Sequence, residues 1–227
     1  MAKKNTNSAT AAQLPKGRHG LTREFVAHNQ RERLIDAIAN VVAEKGYATT
    51  RVVDITGYAG VSRKTFYELF TDKEDCFLQA YDAITALMMD KLGRGLAAAD
   101  NTWEAKVHAL LGGLLEFMAA EPAFARMCVV EVLGSGPHGL ARRDAAIEAF
   151  FPIIGALPEA ELADADWLSP VTPMFIVGGV LEVIYGAIRR GETESLPDLE
   201  EDLTRLAFRS YLHPGEWQRV AQRGAQA

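Results

Sequence analysis

Cysteine is scarce in this sequence of 227 residues, in which Cys76 and Cys128 are the two thiols. They form no CxxC pair, so the sequence predicts neither a disulfide framework nor a zinc cluster. The five histidines are scattered and form no HExxH motif. We therefore predict no metal site and no cofactor. These absences favour a reducing, cytoplasmic location and argue against a metalloenzyme.

Targeting signals and strand patterns are also missing. Residues 1–20 contain no apolar segment of the kind that a secretory signal peptide needs. We predict that residues 1–22 form a disordered basic arm, the alternative being an arm that contacts a minor groove or phosphates. Residues 214–227 are predicted to be a flexible tail. No segment alternates apolar and polar residues over the length of a strand, so we predict an all-α protein.

Charge is unevenly distributed along the chain. The formal net charge is −6, yet residues 1–73 hold 12 Lys and Arg against 7 Asp and Glu, whereas residues 74–227 hold 12 against 23. A small basic segment joined to a larger acidic one suggests that the basic end meets a polyanion, while the acidic remainder keeps the protein soluble. The search for nucleic-acid contacts therefore starts in the N-terminal third.

Apolar residues recur at three- and four-residue intervals through most of the chain, which predicts about nine amphipathic helices. Gly46 is expected to end the first helix, Thr50 to cap the second and Gly60 to end it, while Ser62 caps the third and Thr71 with Glu74 forms a capping box for the fourth. The predicted helices span residues 23–45, 50–59, 62–70, 71–96, 103–120, 122–133, 140–155, 171–190 and 198–212.

Residues 171–188 form a nearly uncharged stretch in which Glu182 is the single charged side chain. The length suits a membrane span, but Pro173 lies at its start and three glycines interrupt it. We interpret the stretch as a helix of a soluble protein that is buried on two sides, and we predict no membrane partner. Its small residues would let a helix of a second subunit approach closely.

The segment GSGPHG at residues 134–139 matches the GxGxxG pattern of dinucleotide-binding sites. That site requires a strand before the glycines, inside a βαβ unit. Here the preceding residues have helical spacing, so we interpret the segment as a loop between helices.

The segment from Thr50 to Phe70 combines the features of a helix-turn-helix. Two short helices are joined by the turn 59–61, which contains a glycine, and the second helix carries its cations in the first turn. Phe66 and Phe70 lie on its apolar face and leave Arg63 and Lys64 outside the core. DNA recognition in the major groove needs this arrangement, in which the start of the second helix reaches the bases.

The sequence GYATTRVVDITGYAGVSRKTFYELFTDKEDCF, residues 46–77, resembles the helix-turn-helix signature of the tetracycline-repressor (TetR) family of transcriptional regulators. The resemblance implies a three-helix DNA-binding head, residues 23–72 here, joined to a helical body at residues 73–213. In the family that body binds a small-molecule effector and dimerises through its last two long helices. A departure from the family pattern is Gly57 inside the second helix, where glycine costs about 1 kcal/mol.

The head supplies two sets of predicted DNA contacts. The first turn of the recognition helix carries the side chains expected to contact bases, with the first of them best placed for a bidentate bond to guanine: Arg63, Lys64 and Thr65. Polar side chains around this turn are expected to hold phosphates and set the register without reading sequence: Thr50, Ser62, Tyr67 and Lys73.

The body supplies a predicted effector pocket and a predicted dimer interface. Aromatic and methionine side chains are expected to line the pocket, the alternative being that they are ordinary core: Trp103, Phe117, Phe124, Met127, Met174, Phe175 and Tyr185. Residues of the last two helices are expected to meet a second subunit: Ile176, Gly179, Val180, Val183, Leu199, Leu203 and Leu206.

Together these patterns predict a homodimeric transcriptional regulator, most simply a repressor, and not an enzyme. It would bind a palindromic operator in double-stranded DNA and release it when a largely apolar small molecule occupies the body. The alternative is a helical small-molecule carrier or enzyme that retains a vestigial DNA-binding head. That alternative predicts bound ligand without sequence-specific DNA binding.

Overall fold

The computed structural model describes residues 23–151 and 169–211, so the predicted arm at 1–22 and tail at 214–227 lie outside the described residues. Within these ranges there are nine α-helices, two 3-10 helices and no strand, which confirms the predicted all-α fold. The 3-10 helices are Glu131–Gly134 and Thr193–Leu199. The α-helices are α1 Arg23–Lys45, α2 Val52–Ala59, α3 Arg63–Leu69, α4 Lys73–Ala98, α5 Trp103–Ala120, α6 Pro122–Val129, α7 Pro137–Glu148, α8 Thr172–Arg190 and α9 Glu200–Arg209.

The chain divides into two compact units that interleave in sequence. The first unit contains the residues up to Ala86 together with Glu121–Arg143, and the second contains Leu87–Ala120 and the residues from Asp144 onwards. The first unit is therefore larger than the predicted head of residues 23–72, because it includes the beginning of α4 and the segment around α6.

The first unit packs α1 against α2, α3 and α6. Its centre is made of fully buried apolar side chains, and each such side chain stabilises the fold by about 1.5–3 kcal/mol relative to an exposed one. These core residues are Leu34, Ile38, Ile55, Phe66 and Phe77. The apolar stripe predicted along α1 thus faces the core.

The second unit packs α5 against α9 and the second 3-10 helix, which also contacts α8. Its most deeply buried side chains are aliphatic: Val107, Leu110, Leu115, Ile184 and Leu196. At Gly112 of α5, an added Cβ would lie 3.0 Å from the Glu200 carboxylate, so the glycine allows α9 to begin close to α5.

Two predicted glycine stops are confirmed. α1 ends at Lys45 and is followed by Gly46 with a φ of 83°, and α2 ends at Ala59 and is followed by Gly60 with a φ of 62°. Glycine is favoured at both positions because a Cβ destabilises the left-handed conformation.

The predicted cap of α2 is wrong by one residue. The N-cap is Arg51, whose backbone N–H donates to the Asp54 carboxylate at 2.9 Å. Thr50 lies one residue before this cap, and its hydroxyl donates to the Gly46 carbonyl at 2.8 Å, just after α1.

The predicted capping box of α4 is also displaced by one residue. Asp72 accepts a hydrogen bond from the backbone N–H of Asp75 at 2.8 Å, and the Asp75 carboxylate accepts one from the backbone N–H of Thr71 at 2.8 Å. Glu74 lies instead 2.9 Å from a ring nitrogen of His138. An aspartate one residue later than the threonine therefore satisfies the first backbone donors of the helix.

Predicted boundaries around the GxGxxG match need correction. The helix expected over 122–133 ends at Val129 and is followed by the first 3-10 helix. α7 begins at Pro137, inside the segment interpreted as a loop, because proline is well tolerated in the first turn of a helix. α7 ends at Glu148, and residue 155, its predicted end, lies outside the described residues.

The last predicted helix begins later than expected. Residues 193–199 form a 3-10 helix that contains Pro197, and α9 begins only at Glu200. The predicted end at residue 212 lies outside the described residues.

α8 is one helix that has the length and apolar composition of a membrane span, with 33% of its most apolar window buried. A single helix of this kind is weak evidence for a membrane, since core helices of soluble proteins pass the same test. The prediction of no membrane partner stays a prediction.

Candidate nucleic-acid interface and apolar cavity

α2 and α3 are joined by a short turn that ends one helix and starts the next. Beyond Gly60, the backbone N–H of Val61 donates to the Thr56 carbonyl at 3.1 Å, which closes the end of α2. Ser62 then caps α3, because its hydroxyl oxygen accepts the backbone N–H of Thr65 at 3.0 Å. The predicted cap at Ser62 is confirmed.

The α3 segment places Phe66 and Phe70 inside and its cations outside. Phe66 and Phe70 are buried, with ring centroids 5.5 Å apart. Arg63 and Lys64 are exposed, and 87% of the Lys64 side chain is accessible. The nearest acid to Lys64 is Glu68 at 3.9 Å, an exposed pair that contributes little.

The remaining residues predicted to contact bases or phosphates differ in how exposed their side chains are. Tyr67 is exposed on α3, so its phenol is accessible. Thr65 is half-buried, with its hydroxyl oxygen 2.9 Å from that of Ser62. Ser62 is exposed although its hydroxyl caps the helix.

Thr50 does not belong to the accessible set. Its relative exposure is 2% and its hydroxyl donates to the Gly46 carbonyl. A buried hydroxyl that is already bonded cannot hold a phosphate in this conformation, so the structure argues against the phosphate contact predicted for Thr50.

Lys73 is half-buried and holds the turn between α1 and α2. Its ammonium group donates to the Tyr47 carbonyl at 2.8 Å and lies 4.1 Å from the centre of the Tyr47 ring. Burial lowers the pKa of Lys73 below its ordinary value. The residue predicted for a phosphate thus also stabilises the fold, a role that its sequence position alone did not indicate.

The second unit contains an apolar cavity of about 30 Å³, far smaller than the roughly 150 Å³ of a cavity that binds benzene. It is lined by Leu110, Leu111, Leu114, Phe150, Ile176, Val177, Val180 and Leu181. Such a cavity admits a larger ligand only if these side chains move apart.

None of the seven residues predicted for an effector pocket lines this cavity. Trp103 packs with Phe208 at 4.9 Å and with Tyr211 at 5.1 Å between ring centroids. Met174 and Phe175 are exposed on α8. Phe117 and Met127 are buried, and Phe124 and Tyr185 are half-buried. Phe124 and Met127 belong to the first unit, which does not contain the cavity.

The cavity residues share a pattern that could have been read from the sequence. Leu110, Leu111 and Leu114 repeat the spacing of Ile176, Val177 and Val180 on the other helix. Two helices with paired aliphatic residues at positions i, i+1 and i+4 can enclose a space between them. The pocket prediction missed this signal because it selected aromatic and methionine residues instead of aliphatic residues at matching spacing.

The residues predicted for a dimer interface fall into two groups. Ile176, Val180 and Leu203 are buried within the second unit, and the first two line the cavity. The others reach the surface to different extents, with Leu199 half-buried and the rest more exposed: Gly179, Val183, Leu199 and Leu206.

Metal chemistry finds no support in the described residues. In residues 23–151 and 169–211, no group of three or more His, Cys, Asp or Glu side chains could hold a metal ion. Burial raises the pKa of the Cys76 thiol and brings that of Cys128 to about 12. Neither thiol is therefore activated as a nucleophile.

Residues 34–80 match the family model described as bacterial regulatory proteins, tetR family. This range contains the C-terminal half of α1, all of α2 and α3 and the start of α4. No curated protein matches the chain.

Solved structures of transcriptional regulators have the same fold. The fatty acid degradation regulator FadR from Bacillus halodurans has a TM-score of 0.70 at 21% identity and covers 78% of this chain and 94% of its own. FadR from Bacillus subtilis in complex with stearoyl-CoA has a TM-score of 0.67 at 17% identity, covering 80% and 98%. A TetR family transcription regulator from Marinobacter aquaeolei VT8 has a TM-score of 0.63 at 17% identity, covering 82% and 97%.

Proposed function

Because residues 34–80 match the model of the tetR family of bacterial regulatory proteins, we propose that this chain is a homodimeric repressor that binds a palindromic DNA operator and is released by a largely apolar effector. The observation that carries the proposal is the exposed cationic turn of α3. Arg63 and Lys64 project from a helix that the buried Phe66 holds in place.

Base recognition is assigned to the first turn of α3. Arg63 is an exposed guanidinium, suited to a bidentate bond with guanine, and Lys64 and the half-buried Thr65 lie beside it. Phosphate contacts are assigned to Ser62 and Tyr67, which are exposed, with Lys73 offering the donors that Tyr47 does not use. The buried Thr50 is left out of the set.

Dimerisation is assigned to the uncovered face of α8 and to one residue of α9. This face carries large apolar side chains and small glycines that allow close helix packing, a combination typical of helix–helix interfaces. Its proposed members are Met174, Phe175, Gly178, Gly179, Val183 and Leu206.

The effector is assigned to the apolar cavity between α5 and α8. Its eight lining residues carry only apolar side chains, which suits a hydrocarbon chain better than a charged metabolite. A regulator with this fold, FadR from Bacillus subtilis, was solved with stearoyl-CoA. We therefore take a long-chain acyl thioester as the first ligand to test. Because the cavity is small, the ligand would select a conformation in which α5 and α8 are further apart.

The symmetry of the proposed dimer explains how the operator is released. The two heads of a dimer must match major grooves about 34–36 Å apart or a multiple of that distance. α4 is continuous and contributes residues to both compact units. A ligand that shifts α4 would change the separation of the heads and lower affinity without touching α3.

Two experiments test this proposal, one measuring DNA binding and one measuring the mass of the assembled protein. Fluorescence anisotropy with duplexes from the chain's own promoter region should give saturable, sequence-specific binding that stearoyl-CoA weakens. Native mass spectrometry should give a mass twice that of the chain, together with any co-purified ligand.

Different failures point to different conclusions. Bound ligand without specific DNA binding would favour the carrier or enzyme with a vestigial head. Specific DNA binding that no acyl thioester weakens would leave the regulator and exclude this effector class. Transcription that rises when the protein is added would replace the repressor by an activator.

A further inference from the structure

In residues 23–151 and 169–211, three α-helices end at a glycine with positive φ, but they do not end in the same way. After α2 and α8, the residue that follows the glycine donates its backbone N–H to the last turn of the same helix. Val61 donates to the Thr56 carbonyl at 3.1 Å, and Glu192 donates to the Ala187 carbonyl at 2.9 Å. This is the Schellman arrangement, which satisfies the end of a helix from within the helix.

α1 ends differently. Gly46 donates to the Val42 carbonyl at 2.8 Å, but the next backbone N–H, that of Tyr47, donates to the Glu131 carboxylate at 2.9 Å. Glu131 lies 84 residues further along the chain. The Gly46 bond closes α1 by itself, and the N–H that a Schellman motif would return to the helix is bound by a side chain from outside the helix-turn-helix.

Glu131 is well held in this position. Its side chain is 13% exposed, and its second oxygen lies 3.3 Å from the Arg126 guanidinium. A Cβ on Gly46 would lie 3.4 Å from the oxygen that accepts the Tyr47 N–H, so the carboxylate also packs against the turn. A mostly buried carboxylate is stable there because it is paired and hydrogen-bonded.

The peptide groups of Tyr47 are thus held from two sides. The N–H is bound by Glu131 and the carbonyl by the Lys73 ammonium. Edge contact between the Tyr47 and Phe77 rings, at 4.8 Å between centroids, restrains the side chain. This turn leads directly into α2, so its path determines where α2 begins.

We propose that Glu131 is a positioning residue for DNA binding, which holds the turn between α1 and α2 in an orientation that the chain would not keep by itself. Without it, the Tyr47 N–H would lose its partner, and the available alternative is a Schellman closure like those of α2 and α8. That closure redirects the chain before α2 and displaces the recognition helix. The inference rests on the proposed function, since operator binding is the property that Glu131 supports.

DNA affinity provides the first test. Glu131→Ala should weaken binding of full-length protein to its promoter duplex about tenfold, because a hydrogen bond to a charged group and the position of the turn are both lost. Glu131→Gln should stay within about threefold of wild type, since its amide oxygen can accept the same N–H. Glu148→Ala, at an exposed glutamate of α7, is the matched control and should bind as wild type does.

Hydrogen exchange of the free protein provides a test that does not depend on DNA. Glu131→Ala should speed exchange at the Tyr47 amide, while the Val61 and Glu192 amides keep their wild-type rates. General destabilisation would instead speed exchange at all three positions.

The outcomes separate this inference from the proposed function. If wild-type protein binds its promoter and Glu131→Ala binds equally well, or Glu131→Gln is as weak as the alanine variant, the inference is overturned. If wild-type protein binds no DNA, the proposed function fails, and an unchanged Tyr47 exchange rate in Glu131→Ala would overturn the positioning role as well.

Discussion

α3 and α8 each leave one face uncovered in the described protomer, and the two faces have opposite chemistry. On α3 the exposed side chains include Arg63 and Lys64, which water solvates well. On α8 they include Met174 and Phe175, the latter 73% exposed. A charged face can remain in water without a partner, whereas a contiguous apolar face usually marks an interaction site. The comparison supports the proposals of a polyanion partner for α3 and of an apolar partner surface for α8.

Two exposed glycines add to the difference between the faces of α3 and α8. Gly178 and Gly179 lie exposed within α8, and a Cβ at either position would have no atom within 4 Å. Each glycine inside a helix costs about 1 kcal/mol relative to alanine. No contact in the described part of the protomer accounts for that cost, whereas a closely packed helix of a second subunit would.

The largest effect is expected when a charge is placed on the apolar face of α8. Phe175→Glu would bury an unpaired carboxylate in the proposed dimer interface, at a cost of about 3 kcal/mol or more, which is a rise of about a hundredfold in the dimer dissociation constant. Sedimentation velocity over a concentration series measures this constant. Leu87→Glu, at an exposed leucine of α4, is the control and should stay dimeric. A fully dimeric Phe175→Glu variant would show that this face of α8 is not the interface.

The next effect tests the cationic face. Arg63→Ala should lower discrimination between the operator and a duplex with a changed guanine by about 1–3 kcal/mol, because the bidentate base contact is lost. Competition anisotropy with the two duplexes measures the difference. Arg94→Ala, at an exposed arginine of α4, should leave discrimination unchanged. Equal discrimination by wild type and Arg63→Ala would remove Arg63 from the base contacts.

A smaller effect comes from one substitution placed in two helices. Gly57→Ala and Gly178→Ala add a methyl group where no atom lies within 4 Å, so each should raise the free energy of unfolding of the protomer by about 0.5–1 kcal/mol. Gly178→Ala should in addition raise the dimer dissociation constant about fivefold, because the methyl group stands where a second helix packs. Urea unfolding and sedimentation separate the two quantities. Identical association of both variants would contradict a close helix contact at Gly178.

The smallest effect concerns pH and the start of α2. Hydrogen bonds from the Lys45 side chain and from Arg51 hold the pKa of Asp54 at about 2, below its ordinary 3.8. Because the folded pKa is depressed, this contribution to stability is fully present above about pH 4 and is lost as the pH falls through about 2. Asp54→Asn should therefore have a lower urea midpoint than wild type at neutral pH, with the difference shrinking towards pH 2. A difference that does not change with pH would rule out the carboxylate as its cause.

The helix-turn-helix could be predicted closely because its signals act over a few residues. Gly46 and Gly60 end helices by permitting a left-handed conformation, and Ser62 caps α3 by reaching Thr65, three residues ahead. The predicted caps at Thr50 and Thr71 were each one residue too early. Arg51 and Asp72 occupy the positions where the two helices begin, and sequence alone does not decide which of two neighbouring polar residues takes such a position.

The body was predicted less well. Periodicity identified which residues of α8 share a face, but not what each face meets. Ile176 and Val180, expected at a subunit interface, line the internal cavity, while Phe175, expected in a pocket, lies on the surface. Apolar residues on all sides of a helix look alike in a sequence, because the pattern records burial and not the identity of the neighbour.

The amino-acid sequence by itself determined the helical class, the turn between α2 and α3 and the outward position of Arg63 and Lys64, since these depend on backbone conformation and on spacing within one helix. Only the tertiary structure decided that Glu131 binds the Tyr47 N–H after α1 and that aliphatic side chains of α5 and α8 line the cavity. Both depend on segments distant in sequence, and the physical reason is that burial and hydrogen bonding are completed in space, wherever packing brings a partner close enough.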